Sequence, residues 1–257
     1  MDTIKDIIFG AGKILKERYF DSFSYNDKGR FDLVSEVDLE IEEMLINGLK
    51  SINPDYFFYS EECGDISGSQ NEMRWIIDPV DGTANFIFGI PYVNISLSLE
   101  CKNRIIEAYV YNPLTDELYF SSEKNGKAFL NGKQITVSDS CEINRSLVTF
   151  GFSANIANIN KYYSEWSVLF KECRKGLGVL SPALNICNVA RGRTDCFIDF
   201  GSNMEGQAGA AFILKNAGGI AVNYDFSEWD YSTKGIIAVN SKLLARLKEN
   251  KVVNKEV

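Results

Sequence analysis

The sequence predicts an α/β chain, and three observations carry that prediction. The chain opens on two stretches whose apolar residues recur at helical spacing. A middle stretch of short alternating runs, punctuated by Asn-Gly pairs, reads as an antiparallel meander. From about Cys141 strand-like runs alternate with helical ones. The change of pattern divides the chain into an α+β half, 1–140, and an α/β half, 141–257.

Ile4, Ile7, Ile8, Ala11, Ile14 and Leu15 define the first helix. Lys13, Lys16 and Arg18 gather toward its C-terminal end, where the helix dipole favours cations. A polar loop is expected over 24–30. A second helix starts near Ser35, presents Val37, Ile41, Met44, Leu45 and Leu49 on one face, and ends at Asn53-Pro54-Asp55. Residues 56–59 form a short aromatic strand leading into Ser60-Glu61-Glu62-Cys63-Gly64, and 65–72 a loop. The apolar run 74–77 reads as a buried strand. It should stop at Asp78, because Pro79 cannot donate to a sheet ladder. Gly82 permits a tight turn, and Thr83 opens a helix as its cap. The meander comprises 94–100, 105–111, 117–121, 127–130 and 134–137, with turns at 101–104, Asn125-Gly126 and Asn131-Gly132. In the second half, 146–150, 195–200 and 236–239 read as strands, and 162–175, 182–191, 206–217 and 241–250 as helices.

With 257 residues, 45% of them hydrophobic, the chain can bury a substantial core. The net charge of −8 argues against a protein built to grip a nucleic-acid backbone. It does not exclude a phosphorylated substrate, since a bound cation reverses the local field. Histidine is absent, which excludes Ser-His-Asp and Cys-His catalysis and zinc sites containing histidine. A hydrolase made from this sequence must activate water with a metal or a carboxylate. The cysteines, at 63, 101, 141, 173, 187 and 196, form no C-x-x-C pair. Residues 1–19 are amphipathic rather than a secretory signal, and no apolar stretch is long enough to span a bilayer. Free thiols in a reducing cytoplasm are expected, with no membrane partner.

The chemistry concentrates at Asp78-Pro79-Val80-Asp81-Gly82-Thr83. Two carboxylates on a strand-to-helix turn suit a hard cation such as Mg²⁺. The N–H groups at the start of the helix suit a phosphate. The plainer reading of a lone Asp-x-x-Asp is a cap and a solvated turn. Glu61 and Glu62 follow a strand end and read equally well as a ligand or as an acidic loop. Ser35 and Asp38 have capping-box spacing. Asp199 ends an apolar strand. Cys187 and Arg193-Thr194 have the Cys-x5-Arg-(Ser/Thr) form of a cysteine phosphatase loop. Yet Ala183, Leu184, Cys187, Val189 and Ala190 fit a buried helix face, and only Gly192 of the needed glycines is present.

The Asp78–Thr83 stretch resembles the signature of the inositol monophosphatase family, Asp-Pro-(Ile/Leu/Val)-Asp-Gly-Thr. The resemblance runs from Lys28, Asp32, Val34, Ser35 and Asp38, through the Glu61-Glu62 pair, to Ala217-Gly218-Gly219 and 236–240. It implies a layered α-β-α-β-α sandwich of the inositol monophosphatase/fructose bisphosphatase type, Mg²⁺ as cofactor, hydrolysis of a small phosphate monoester, and a homodimer. By the same resemblance Glu61, Asp78 and the Val80 carbonyl hold one metal, and Asp78 and Asp81 a second. Gly82 and Thr83 amides bind phosphate, and Asp38 with Thr83 positions the water. Asp199 contacts substrate hydroxyls. Ser181 stands where the family lines its substrate pocket with Gly-Thr-Ala. The second signature, Trp-Asp-x-Ala-(Ala/Gly), fails. Glu205 and Gly206 occupy the Trp and Asp positions, so Glu205 is expected as a displaced substitute ligand, or equally as a carboxylate favoured at a helix N-terminus without any metal. The alternative is a family member that binds a phosphorylated ligand or partner without turning it over.

Overall fold

The computed structural model describes residues 2–21, 23–29, 32–66, 72–152, 156–161, 164, 166–178, 181–201 and 203–249. The first helix, α1 (Asp2–Arg18), packs antiparallel-fashion beside α2 (Glu36–Ile52), and Ser35 caps α2 in a full capping box with Asp38. The 24–30 segment is not a loop. It forms β1 (Tyr25–Gly29), paired with β2 (Asp32–Ser35). Its residues are polar, so the ladder is set by backbone pairing and leaves no apolar alternation to read.

Eight strands make the first sheet, in the order β10-β9-β8-β7-β6-β5-β3-β4. They are β3 (Phe57–Ser60), β4 (Gly64–Ile66), β5 (Met73–Asp81), β6 (Asn94–Cys101), β7 (Arg104–Asn112), β8 (Glu117–Ser122), β9 (Lys127–Leu130) and β10 (Lys133–Ile135). The meander from β5 to β10 is antiparallel throughout. Lys102 and Asn103 both adopt positive φ at the β6–β7 turn, as do Asn131 and Gly132 at the β9–β10 turn. That is the twist a two-residue hairpin needs. Strand β5 does not stop at Asp78. It runs on to Asp81, and Pro79 is accommodated in a bulge, where its missing N–H costs no ladder bond.

The second sheet has five strands, in the order β12-β11-β13-β15-β14. These are β11 (Leu147–Phe152), β12 (Lys175–Gly178), β13 (Cys196–Phe200), β14 (Gly219–Val222) and β15 (Ile236–Asn240). The helix expected over 162–175 is replaced by α4 (Ile156–Lys161), α5 (Ser167–Glu172) and β12; residues 162, 163 and 165 lie outside the described ones. Helices α6 (Pro182–Ala190), α7 (Ala208–Asn216) and α8 (Ser241–Glu249) match the expected ones, with α7 starting two residues later than the sequence implied.

The layers alternate α-β-α-β-α. One apolar cluster joins α1 and α2 to the outer face of the large sheet, through Leu15, Leu45, Trp75, Ile77, Ile95 and Leu97. A second fills the space between the sheets around α6 and α7, through Ala108, Val110, Leu184, Phe197 and Ile213. A third holds α5 and α8 against the far face of the small sheet. The inner face of β6 carries Asn94, Ser96, Ser98 and Glu100, all buried. This small polar face is the floor of the candidate site. Among the described residues no helix is long and apolar enough to cross a membrane.

Candidate active site

Pairing register assembles the site. Strand β3 runs parallel to β5 with Ser60 opposite Ile77, so Glu61 emerges beside Asp78. Strand β5 runs antiparallel to β6, with Asp78 opposite Ser96 and Asp81 opposite Asn94. Three steps along β5 therefore match two along β6: one extra residue, a β-bulge. In an unbroken strand, residues three apart face opposite sides. The bulge turns Val80 into the cluster under α2 and leaves Asp78 and Asp81 on the same inner face. Gly82 follows at φ 96°, a left-handed conformation that suits glycine, and caps α3 (Thr83–Ile87). Thr83 is thus the first helical residue rather than the cap, and its hydroxyl turns elsewhere.

That hydroxyl lies 3.0 Å from Asp38 Oδ1 and 3.0 Å from the Val80 carbonyl. Asp38 Oδ2 accepts the Ser35 N–H and hydroxyl. The capping and catalytic readings of Asp38 therefore coexist, one on each oxygen. Desolvation raises its pKa despite these bonds.

Asp78, Asp81 and Glu205 are each at least nine-tenths buried. Asp78 is pushed well above the carboxylate range by desolvation, and then by Glu61, Asp81 and Glu205. Asp81 is raised to about 6, mainly by desolvation. Its Oδ2 accepts from Asn94 Nδ2 (2.7 Å), Ser181 Oγ (2.8 Å) and the Ala183 N–H (2.9 Å). Ser181 holds this place at φ 147°, strained for a residue with a side chain. Asp199 approaches from the small sheet, where its Oδ2 accepts Gln207 Nε2 at 2.8 Å, and its charge adds to the raising of Asp81. Glu205 Oε1 accepts the Tyr59 hydroxyl at 3.1 Å. Burial and then Glu205 raise Tyr59 to about 12, so it stays a donor at neutral pH. A Cβ on Gly206 would lie 3.4 Å from Asp78 Oδ2 and 3.5 Å from Asp81 Oδ1, so that backbone abuts both carboxylates.

The donor set suits a hard cation. Every group is an oxygen, and two buried oxygens, Asp78 Oδ1 and Glu205 Oε2, have no hydrogen-bond partner among the described residues. Among the described residues no three acidic or cysteine side chains close into a ready cage, which qualifies the ligand set read from the sequence. Asp81 directs one oxygen onto three neutral donors, which leaves its other oxygen toward the Gly206 backbone. Cys187 is fully buried on α6, its thiol pushed up by desolvation, and Arg193 pairs with Glu117. A cysteine-nucleophile loop is therefore ruled out by position. The side chains of Lys28 and Asp32 lie outside the described residues.

Sequence reasoning missed Tyr59, Asn94, Glu42 and Gln207. Glu42 is buried and accepts the N–H groups of Glu62 (3.1 Å) and Cys63 (3.3 Å), which fixes the turn bearing Glu61. A charged residue four after Asp38, between Ile41 and Leu45, was the available signal. Asn94 gave none, since its role follows from register alone.

The fold is a layered α/β sandwich with buried carboxylates gathered over a bulged strand. The sequence profile described as Inositol monophosphatase family matches residues 2–255, and the chain belongs to that family. It is 36% identical to inositol monophosphatase 3 of Solanum lycopersicum, over 95% of this chain and 92% of that protein. It is 29% identical to Nus factor SuhB of Escherichia coli, over 93% and 91%. Among solved structures, extragenic suppressor protein suhB of Bartonella henselae superposes with a TM-score of 0.92 at 28% identity, covering 100% and 99% of the two chains. The IMPase of Thermotoga maritima superposes at 0.86 with 27% identity, covering 98% of each.

Proposed function

We propose that the chain is a Mg²⁺-dependent phosphatase acting on a small phosphate monoester: an inositol, sugar, polyol or nucleotide phosphate. The observation that supports this most is the bulge that brings Asp78 and Asp81 onto one buried face, beside Glu61 and Glu205. In this reading Glu61, Asp78 and the Val80 carbonyl hold one cation, and Asp78, Asp81 and Glu205 a second. Bound there, the cations supply Lewis acidity and an acidified water. The protein's own groups do the rest. Thr83, donating to Asp38, keeps its oxygen lone pairs free to accept from the attacking water. The Gly82 and Thr83 amides bind the phosphate. Asp199 and Ser181 meet the hydroxyls of the alcohol portion. Residues 1–140 supply the metal-site loops and the phosphate-binding amides, and 141–257 the other substrate contacts together with Glu205. The working form is read as a homodimer in a reducing cytoplasm, consistent with six unpaired thiols.

The test is phosphate release from a panel of inositol, sugar, polyol and nucleotide phosphates, with Mg²⁺ and with chelator. Release that chelator abolishes supports the reading; resistance to chelator overturns it. A second reading, binding without turnover, is favoured by one observation: Gly206 stands where the family has its late Asp. Relatives named Nus factors belong to the same family. Tight ligand binding without release in wild type, and release restored in Gly206→Asp, would favour that reading.

A further inference from the structure

The turn from Met204 to Gln207 brings a carboxylate to the inner face in an unusual way. Residue 206 has its backbone against Asp78 and Asp81 but no side chain to offer. Residue 205, one position earlier in the same turn, is a glutamate 6% exposed. Its two oxygens have different fates. Oε1 accepts the Tyr59 hydroxyl at 3.1 Å, and Oε2 is buried with no partner. The Glu205 charge is felt at Asp78, whose own Oδ1 is likewise buried without a partner. Two partnerless buried oxygens from two neighbouring carboxylates describe a gap that an unlike charge would fill.

Tyr59 is held as firmly as the carboxylate it serves. It alternates with Phe58 on β3, so Phe58 enters the cluster under α2 while Tyr59 points to the inner face. The Arg74 guanidinium lies 5.9 Å over its ring. Arg74 Nε in turn donates to Glu100 Oε2 at 2.6 Å, and Tyr231 donates to Glu100 Oε1 at 2.6 Å. The ring of Tyr59 thus lies under an Arg74 that Glu100 of β6 holds in place, and Tyr231 secures Glu100 in turn. A hydrogen bond from a fixed donor selects one rotamer of a long side chain and removes entropy that Glu205 would otherwise lose on meeting a cation.

We propose that Tyr59 is a positioning residue: it takes up Glu205 Oε1 so that Oε2 faces Asp78 as the carboxylate donor for the second cation, in place of the one Gly206 cannot provide. Tyr59 and Glu205 then act as a unit. This rests on the metal-dependent reading above, and goes beyond it by assigning a residue that touches neither cation nor substrate.

The test is calorimetric titration of Mg²⁺, repeated with Mn²⁺, into metal-free full-length protein without substrate. Wild type is compared with Tyr59→Phe, Glu205→Gln, the Tyr59→Phe/Glu205→Gln double variant and Tyr59→Phe/Gly206→Asp. Wild type should show a tighter and a weaker cation. Tyr59→Phe should weaken only the weaker one, by about tenfold, as expected for loss of one hydrogen bond to a charged group. The double variant should be no worse than Glu205→Gln alone. Gly206→Asp should restore the weaker cation in the Tyr59→Phe background, because it supplies the carboxylate directly. Circular dichroism and thermal melting establish that each variant is folded. Should Tyr59→Phe not fold, ring resonances in tyrosine-labelled protein replace it: one ring should shift with the second cation in wild type and not in Glu205→Gln. Two-site binding untouched by Tyr59→Phe, or equal added losses in the double variant, overturns the proposal alone. Absence of any cation binding in wild type overturns it together with the metal-dependent function.

Discussion

Asp78 and Asp81 share a face but not a situation. Asp81 spends one oxygen on Asn94, Ser181 and Ala183, whereas Asp78 keeps a buried oxygen unpartnered among three other acids. Asp78→Asn should therefore reduce turnover more than Asp81→Asn, with both folded by circular dichroism. Equal, small losses in a steady-state assay would remove the two-cation arrangement. The raised pKa values also set a pH dependence for the metal-free protein. Asp81 moves from its ordinary 3.8 to about 6, so between those values the folded state holds a proton that the unfolded state has released. Stability must then fall as pH rises through that window. Asp78 and Asp38 act in the same direction, while Glu117 is lowered from 4.5 and acts only below that value. In chelator, Tm should rise as pH is lowered from 7 to 5. Excess Mg²⁺ should raise Tm at pH 7 and flatten the slope. A metal-free protein most stable at pH 7 would contradict the burial of these charges. At this scale the Ser35–Asp38 capping box and the Asp78/Asp81 pair were legible because their spacing is local, and the Asp38–Thr83 contact, 45 residues apart, only through resemblance. Tyr59 and Asn94 were not, because each meets its partner only through strand register.

Helix α2 serves two loops from one face. Asp38 holds Thr83, and one turn later Glu42 holds the amides of Glu62 and Cys63, along with the Cys63 thiol at 2.8 Å. Truncating Glu42 to alanine removes the charged acceptor of these half-buried hydrogen bonds, at a cost of ~1–3 kcal/mol. Glu42→Ala should lower the urea midpoint accordingly and weaken Mg²⁺ activation, by freeing the turn that carries Glu61. Unchanged Mg²⁺ activation would show that Glu61 needs no such anchor. Helices and hairpins were readable where apolar periodicity or Asn-Gly turns fixed them. The β1–β2 hairpin, β4, β12 and β14 were missed, being short and held by backbone pairing. The β5 boundary was misread because proline ends regular strands but fits a bulge.

Across the whole molecule the site lies between two sheets whose cores meet around α6 and α7, and the thiols report on that burial. Cys187 and Cys196 are buried, and Cys63 and Cys141 are exposed. Glu42 pushes the Cys63 thiol up to about 11, so Cys141 should react first with iodoacetamide at pH 8. Cys187 and Cys196 should stay unmodified until the protein unfolds, as mass spectrometry of the labelled peptides would report. Cys187→Ser should leave turnover nearly intact. Early labelling of Cys187 would mean that the middle layer opens in solution. The layered architecture was legible only through family resemblance, since helix and strand order alone does not say which faces meet.

The bulge at Asp78–Asp81 has a consequence for how such a site can change over time. The two sides of a pleated strand form a binary choice, and an added residue switches the parity of everything after it. No series of small adjustments connects one parity to the other. Straightening the bulge with every residue retained would send Asp81 toward α2 and Val80 into the site at a single stroke. The wall built on β5 is thus quantised and conserved as a whole or lost as a whole. Gradual divergence is left to the opposite wall: the turn before α7, the entry to α6 and the end of β13.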